Sequence, residues 1–176
     1  MQFMRGVLFS IALSVFTIAP SFAQTAQDYF KTGVEKQNKK EFKAAAKAYS
    51  KAIEMIPKYK DAFFNKATCE FMVSDFEGAM ADFTTYIGMD STSAKGYFGR
   101  AKVYIAMNQH QEAMPDLNRA VKLDYRLPDL LCTRGQVRGE AGNKKGACAD
   151  FAKAKQLGDP NVQQFIDQIC EQGNEE

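Results

Sequence analysis

Few side chains in this sequence could do chemistry, and their spacing limits what that chemistry can be. The single histidine, His110, stands beside an expected helix start with no nucleophile placed for it, so it reads as a surface side chain. The four cysteines, Cys69, Cys132, Cys148 and Cys170, form no CxxC pair, which argues against a structural zinc site. Phosphate-cradling, dinucleotide-binding, zinc-protease, nucleophile-elbow and calcium-loop motifs do not occur. Asp and Glu fall mostly at solvent-facing helix positions, where a solvated face explains them. The expectation is a non-enzymatic protein that needs no cofactor and no metal. Binding is a different matter, because Phe30, Phe64 and Phe98 recur at one spacing, with Lys95 and Lys102 flanking the third ring.

The elements that would position these residues begin after the first segment. Arg5 supplies a positive start, Val7–Ile18 an apolar stretch and Pro20-Ser21-Phe22-Ala23 a small-residue end, the pattern of a signal peptide over residues 1–23. That stretch is shorter than the roughly 20 apolar residues of a membrane span. Cleavage is therefore expected after Ala23, releasing a soluble chain from Gln24 into the periplasm or the extracellular space. The first cysteine is Cys69, so none stands at the cut to take a lipid. With 45% hydrophobic and 25% charged residues the chain should fold rather than stay disordered. A formal net charge of +2 offers no electrostatic reason to expect a nucleic-acid partner.

Written in rows of 34 from Ala26, Lys60, Ala94 and Pro128, the rest of the chain aligns with itself four times without a gap, over 26–59, 60–93, 94–127 and 128–161. Position 8 of the rows holds Gly33, Ala67, Ala101 and Gly135, and position 20 holds Ala45, Ala79, Ala113 and Ala147. Large residues recur at position 4 (Tyr29, Phe63, Tyr97, Leu131) and position 24 (Tyr49, Phe83, Leu117, Phe151). Small residues let two helices approach, and large ones fill the space beside them. Each row should thus be a helix hairpin.

These residues resemble the tetratricopeptide repeat (TPR), and the fourth row, with Gly146-Ala147-Cys148-Ala149-Asp150-Phe151, looks like the last unit of exported bacterial proteins of that family. The sequence departs from the family pattern in having no Trp, an aromatic at position 11 only at Tyr104, and proline at position 32 only at Pro57. The resemblance implies an all-α, right-handed α-solenoid of four helix-turn-helix repeats, whose first helices line a concave groove for an extended or helical peptide. One subgroup grips a C-terminal carboxylate with a clamp of basic and Asn side chains. Here Asn65 and Lys95 match that clamp while Phe30, Val34 and Gly99 do not, which disfavours that ligand.

Local signals fill in the boundaries. Ser74-Asp75-Phe76-Glu77 reads as a capping box for the second helix of row 2, and Asn108 with Gln111 as a similar start in row 3. Pro115 inside a helix predicts a kink or a late start. Asp159 before Pro160 reads as the N-cap of a last helix, about 161–171, which caps the solenoid within a terminal segment 162–176; the tail from Gln172 should fray.

Three expectations follow from this frame. Cys69 and Cys132 lie two rows apart, beyond disulfide reach, whereas Cys148 and Cys170 should staple the cap to row 4. Position 7 (Lys66, Arg100, Arg134) and position 23 (Asp82, Asp116, Asp150) are charged together in rows 2 to 4 and neutral together in row 1, at Thr32 and Ala48, which predicts ion pairs between the helices. Third, the groove is expected to be lined by Phe30, Phe64, Phe71, Lys95, Phe98, Lys102 and Ile105, with Asp61 and Met72 on the same face. Two arrangements fit the Phe ladder, an exposed groove or a seam packed between adjacent helices. Two functions stay open as well: a scaffold or adaptor for a protein or peptide partner in the cell envelope, and a self-associating homo-oligomer.

Overall fold

The computed structural model describes residues 24–127 and 129–171. The expected signal peptide and the tail from Gln172 lie outside the described residues. Among the described residues there are helices and no strand: α1 (Ala26–Asn38), α2 (Phe42–Met55), α3 (Lys60–Met72), α4 (Phe76–Met89), α5 (Ala94–Ala106), α6 (His110–Asp124), α7 (Leu130–Glu140), α8 (Lys144–Gln156) and α9 (Val162–Phe165), which widens to π-helical pitch over Ile166–Glu171. Short turns fold consecutive helices into antiparallel hairpins, and each hairpin stacks on the next, giving an all-α solenoid.

The packing follows from residue size. Ala45, Ala79, Ala113 and Ala147 are completely buried where α2, α4, α6 and α8 lie against their partners. At Gly33 and Gly135 the approach is closer still, since a Cβ there would stand 2.5 Å from the ring of Tyr49 or Phe151. Row 2 has Ala67 at that position, and the Phe83 ring leans instead onto Gly99 of the next hairpin. The rings at position 24 are the true core, with Tyr49 and Phe151 fully buried, while Tyr29 and Tyr97 at position 4 are half-buried platforms beneath Lys51 and Arg119.

Every hairpin turns through one left-handed residue: Lys40 (φ 60), Ser74 (φ 61), Asn108 (φ 58) and Gly142 (φ 77). The amide one place beyond it then donates back across the last turn of the preceding helix, as from Asp75 N to Glu70 O at 2.9 Å and from Gln109 N to Tyr104 O at 2.8 Å. This corrects two expected caps. Ser74 and Asn108 close the preceding helices and cannot take an N-cap backbone, so α4 is capped by Asp75, whose Oδ1 accepts from Gly78 N at 3.1 Å, and α6 starts after Gln109 without a side-chain cap.

Three further boundaries differ. α6 does not start late: it runs from His110 through Pro115, whose exposed position leaves the missing hydrogen bond at the equally exposed Gln111. α7 begins at Leu130 because Asp129 is itself left-handed (φ 59). The N-cap of α9 is Asn161, not Asp159, which makes a local turn by accepting from Asn161 N at 2.9 Å.

The terminal helix covers the apolar side of the last hairpin. Val162 is buried, Phe165 stacks on Phe151 with ring centroids 5.8 Å apart, and the Cys148–Cys170 disulfide joins α8 to the π-helical end across a Cα separation of 5.8 Å. Cys69 and Cys132 are buried free thiols, their pKa pushed up to about 11 by burial, and are therefore inert.

Candidate functional site

Helices α3 and α5 lie side by side on one face of the solenoid, and their helical repeat decides what they show there. Phe64, Thr68, Phe71 and Met72 share one side of α3, and Lys95, Phe98, Gly99 and Lys102 share one side of α5. Together they line a cleft of about 410 Å³, with the Phe83 ring of α4 as part of its floor and Leu127 and Asp129 from the α6–α7 connection at one end. Gly99 is the opening through which Phe83 reaches the cleft.

The floor is a connected aromatic cluster. Phe64 meets Phe83 edge-on at 5.7 Å and Tyr86 at 5.1 Å between centroids, and Lys102 Nζ sits 4.4 Å above the Phe98 ring. Met72 is 53% exposed although its neighbours are apolar. Lys95 is exposed at the side, and Asp129 is the acidic group at the end. Such a surface offers apolar burial to a guest side chain and two ammonium groups to an acidic one.

Of the expected groove residues, Phe64, Phe71, Lys95, Phe98 and Lys102 come together here with Met72. Phe30 does not: it lies between Tyr49 and Tyr59, with ring centroids 5.5 and 4.9 Å away, because Tyr59 from the α2–α3 connection covers it. Ile105 points into the α5–α6 packing, beside Leu117 and its neighbours, and Asp61 is exposed outside the cleft. The Phe ladder is thus neither all groove nor all seam. Its third rung, Phe98, is only 6% exposed, while Phe64 is half-buried and open to the cleft. Phe83, Thr68, Leu127 and Asp129 line the cleft without having been expected there, although Thr68 stands at the same row position as Lys102 and Asp129 at the same row position as Lys95, and Gly99, a glycine beside a large ring, was a signal for Phe83.

Ion pairs hold the cleft's helices in register from behind. Arg100 grips Asp116 through Nε (2.7 Å) and Nη2 (2.9 Å), and its Nη1 reaches Thr84 on α4 at 3.3 Å. Arg134 repeats this with Asp150 (2.9 and 2.6 Å) and with Asn118 on α6 (3.1 Å), and Arg138 adds a second cation on Asp150. The charged pairs therefore join helices within a row, and in rows 3 and 4 the arginine also ties its row to the one before. In row 2 one cation serves two carboxylates, with Lys66 Nζ 2.6 Å from Asp82 and 2.5 Å from Glu70. Burial pushes Glu70 up to about 7, and its Oε2 has no partner among the described residues. Burial also works against the charge on Lys66, but the hydrogen bonds that it donates to Asp82 and Glu70 outweigh it and raise its pKa. His110 Nδ1 lies 2.6 Å from Glu140 Oε2, a link between α6 and α7. Among the described residues no group of His, Cys, Asp and Glu is placed to hold a metal, and no helix is long and apolar enough to cross a membrane.

Comparison with known proteins bears on this geometry. Residues 94–126 match the family model described as tetratricopeptide repeat. Human serine/threonine-protein phosphatase 5 is 31% identical over 98 residues, which is 56% of this chain and 18% of that protein. The chain spans about a fifth of the length of the curated relatives it matches. Among solved structures, a thermophilic TPR protein of Thermus thermophilus superposes with a TM-score of 0.70 at 19% identity, covering 82% of this chain and 81% of that one. The first TPR of Spaghetti, solved with an HSP90 peptide, gives a TM-score of 0.64 at 18% identity over 68% of this chain and 94% of its own.

Proposed function

We propose that this chain, which has the fold of tetratricopeptide-repeat proteins and matches that repeat's model over residues 94–126, is a non-enzymatic adaptor of the cell envelope that holds a partner's peptide in the cleft between α3 and α5. The observation that carries this reading is the cleft itself, an open aromatic floor with half-exposed Met72 at its rim and Lys95 and Lys102 beside it. Such patches mark binding sites, and aromatic rings in a dry centre usually supply most of the affinity. The guest is an extended or helical segment with apolar side chains for the rings and an acidic group for the lysines. A structural neighbour described as bound to a peptide supports this use of the fold. The envelope setting rests on the export signal read in residues 1–23.

The test is a random peptide display library panned on the protein. Enriched sequences should combine apolar and acidic residues, and their binding should fall at least about tenfold with Met72→Glu and with Lys95→Glu/Lys102→Glu, while melting temperatures stay unchanged. A library without enrichment, or peptides indifferent to these changes, would remove the cleft as the site. Sequencing the exported protein should find Gln24 first; an uncleaved chain would remove the envelope assignment.

A further inference from the structure

The outward side of the first hairpin differs from the same side of the later ones. In rows 3 and 4 that side is covered, since Arg100 reaches Thr84 on α4 and Arg134 reaches Asn118 on α6. On α1 and α2 the corresponding residues are Thr32 and Ala48, and they line a shallow pocket of about 280 Å³ floored by Tyr29 and Ala44 and walled by Lys47 and Lys51. Lys47 and Lys51 belong to a run, Lys43, Lys47 and Lys51, spaced every four residues along one side of α2. All three are exposed, and none forms an ion pair among the described residues. Row 1 holds eight lysines against four acidic residues, an imbalance unlike that of row 2, which has two lysines against six.

The other end of the solenoid has the opposite character. Beyond Lys155 the sequence contains Asp159, Asp167, Glu171, Glu175 and Glu176 and no Lys or Arg. Asp167 and Glu171 are exposed on the terminal helix, four residues apart like the lysines of α2. Among the described residues the first hairpin thus lacks a covering helix and is basic, and the last element is a helix that carries acidic groups outward.

We propose that the outward face of α1 and α2 docks the terminal helix of a second copy, so that copies of this chain associate head to tail. Tyr29, Thr32 and Ala48 seat the helix, as the preceding hairpin's second helix is seated elsewhere in the fold, and Lys43, Lys47 and Lys51 face its Asp167 and Glu171. The two faces are different surfaces, so each contact leaves one free face at either end and assemblies lengthen with concentration. The contacts are exposed ion pairs, individually weak and screened by salt. The docking face shares no residue with the α3–α5 cleft, so an assembly would present several clefts in a row and hold a multivalent partner by avidity.

Sedimentation velocity tests this on protein purified from cells expressing the full sequence. At about 0.05 M salt the sedimentation coefficient should rise with concentration, and at about 0.5 M salt it should return to that of the monomer. The head variant Lys43→Gln/Lys47→Gln/Lys51→Gln and the tail variant Asp167→Asn/Glu171→Gln should each be monomeric, with unchanged helical circular dichroism because every altered side chain is exposed. Mixed in equal amounts they should form a discrete dimer, since one supplies an intact head and the other an intact tail. Met72→Glu should associate like the parent. A parent that stays monomeric in low salt, a variant that still self-associates, a mixture without dimer, or loss of association with Met72→Glu would each overturn the proposal.

Discussion

Arg100 on α5 holds Asp116 on α6 with two parallel hydrogen bonds while its third nitrogen crosses to Thr84 on α4. One side chain thereby fixes both the spacing within a hairpin and the stacking of that hairpin on its predecessor. Asp116 is buried, so the pair is screened less than a surface ion pair. A cycle of Arg100→Ala, Asp116→Ala and the double change should show a coupling of about 1–2 kcal/mol by urea unfolding. Additive losses would mean that the two charges act independently.

The left-handed turn residues give a prediction of opposite sign at equivalent positions. Ser74 (φ 61) and Lys40 (φ 60) bear a conformational cost that Gly142 avoids. Ser74→Gly and Lys40→Gly should each raise stability by about 1 kcal/mol, and Gly142→Ala should lower it by a similar amount. Unfolding midpoints that move the other way would contradict the turn geometry.

Glu70 makes stability depend on pH. Burial raises its folded pKa to about 7, so between its ordinary value and about 7 the native state holds a proton that the unfolded chain has released. Stability therefore falls as pH rises from the ordinary carboxylate range to about 7, and levels off above that. Glu70→Gln should flatten that decline and be more stable than the parent at about pH 8, with Lys66 still paired to Asp82. Parallel stability curves for the two proteins across this range would show that Glu70 is not the titrating group.

Reducing the Cys148–Cys170 disulfide should cost about 3 kcal/mol and loosen the terminal helix first. Hydrogen exchange should accelerate at Val162–Glu171 while α3 to α6 stay protected. Uniform acceleration along the chain would mean that the cap and the solenoid unfold as one unit.

What could be read from the sequence depended on whether a signal repeated. The small residues at positions 8 and 20, the charged pairs at 7 and 23, and the cysteine pair all recur or follow from the row frame, and the hairpins obey them. Helix starts were legible to within a residue or two, but Ser74 and Asn108 were mistaken for N-caps because Ser and Asn are both common caps, and at these two positions the backbone is left-handed instead. The site was only half legible. Phe64, Phe71, Phe98, Lys95 and Lys102 share the cleft because they lie on the facing sides of α3 and α5, whereas Phe30 is covered by the ring of Tyr59, at a position of the frame that holds Ser93 and Leu127 in the next two rows. Asp129 shares position 2 with Lys95 and Asp61, so the frame itself placed it on this face, whereas Leu127 shares position 34 with Tyr59 and Ser93, residues too unlike one another to signal a common role.

The most direct measurement is a methyl NMR titration of a display-selected peptide into methionine-labelled protein. Met72 lies in the cleft at 53% exposure, whereas Met55 (51%) and Met89 (36%) are exposed outside it and serve as internal controls. Binding in the α3–α5 cleft predicts saturable shifts at Met72, abolished by Lys95→Glu/Lys102→Glu, with Met55 and Met89 unmoved. Shifts at Met55 or Met89 with Met72 unmoved would place the peptide elsewhere and contradict the account.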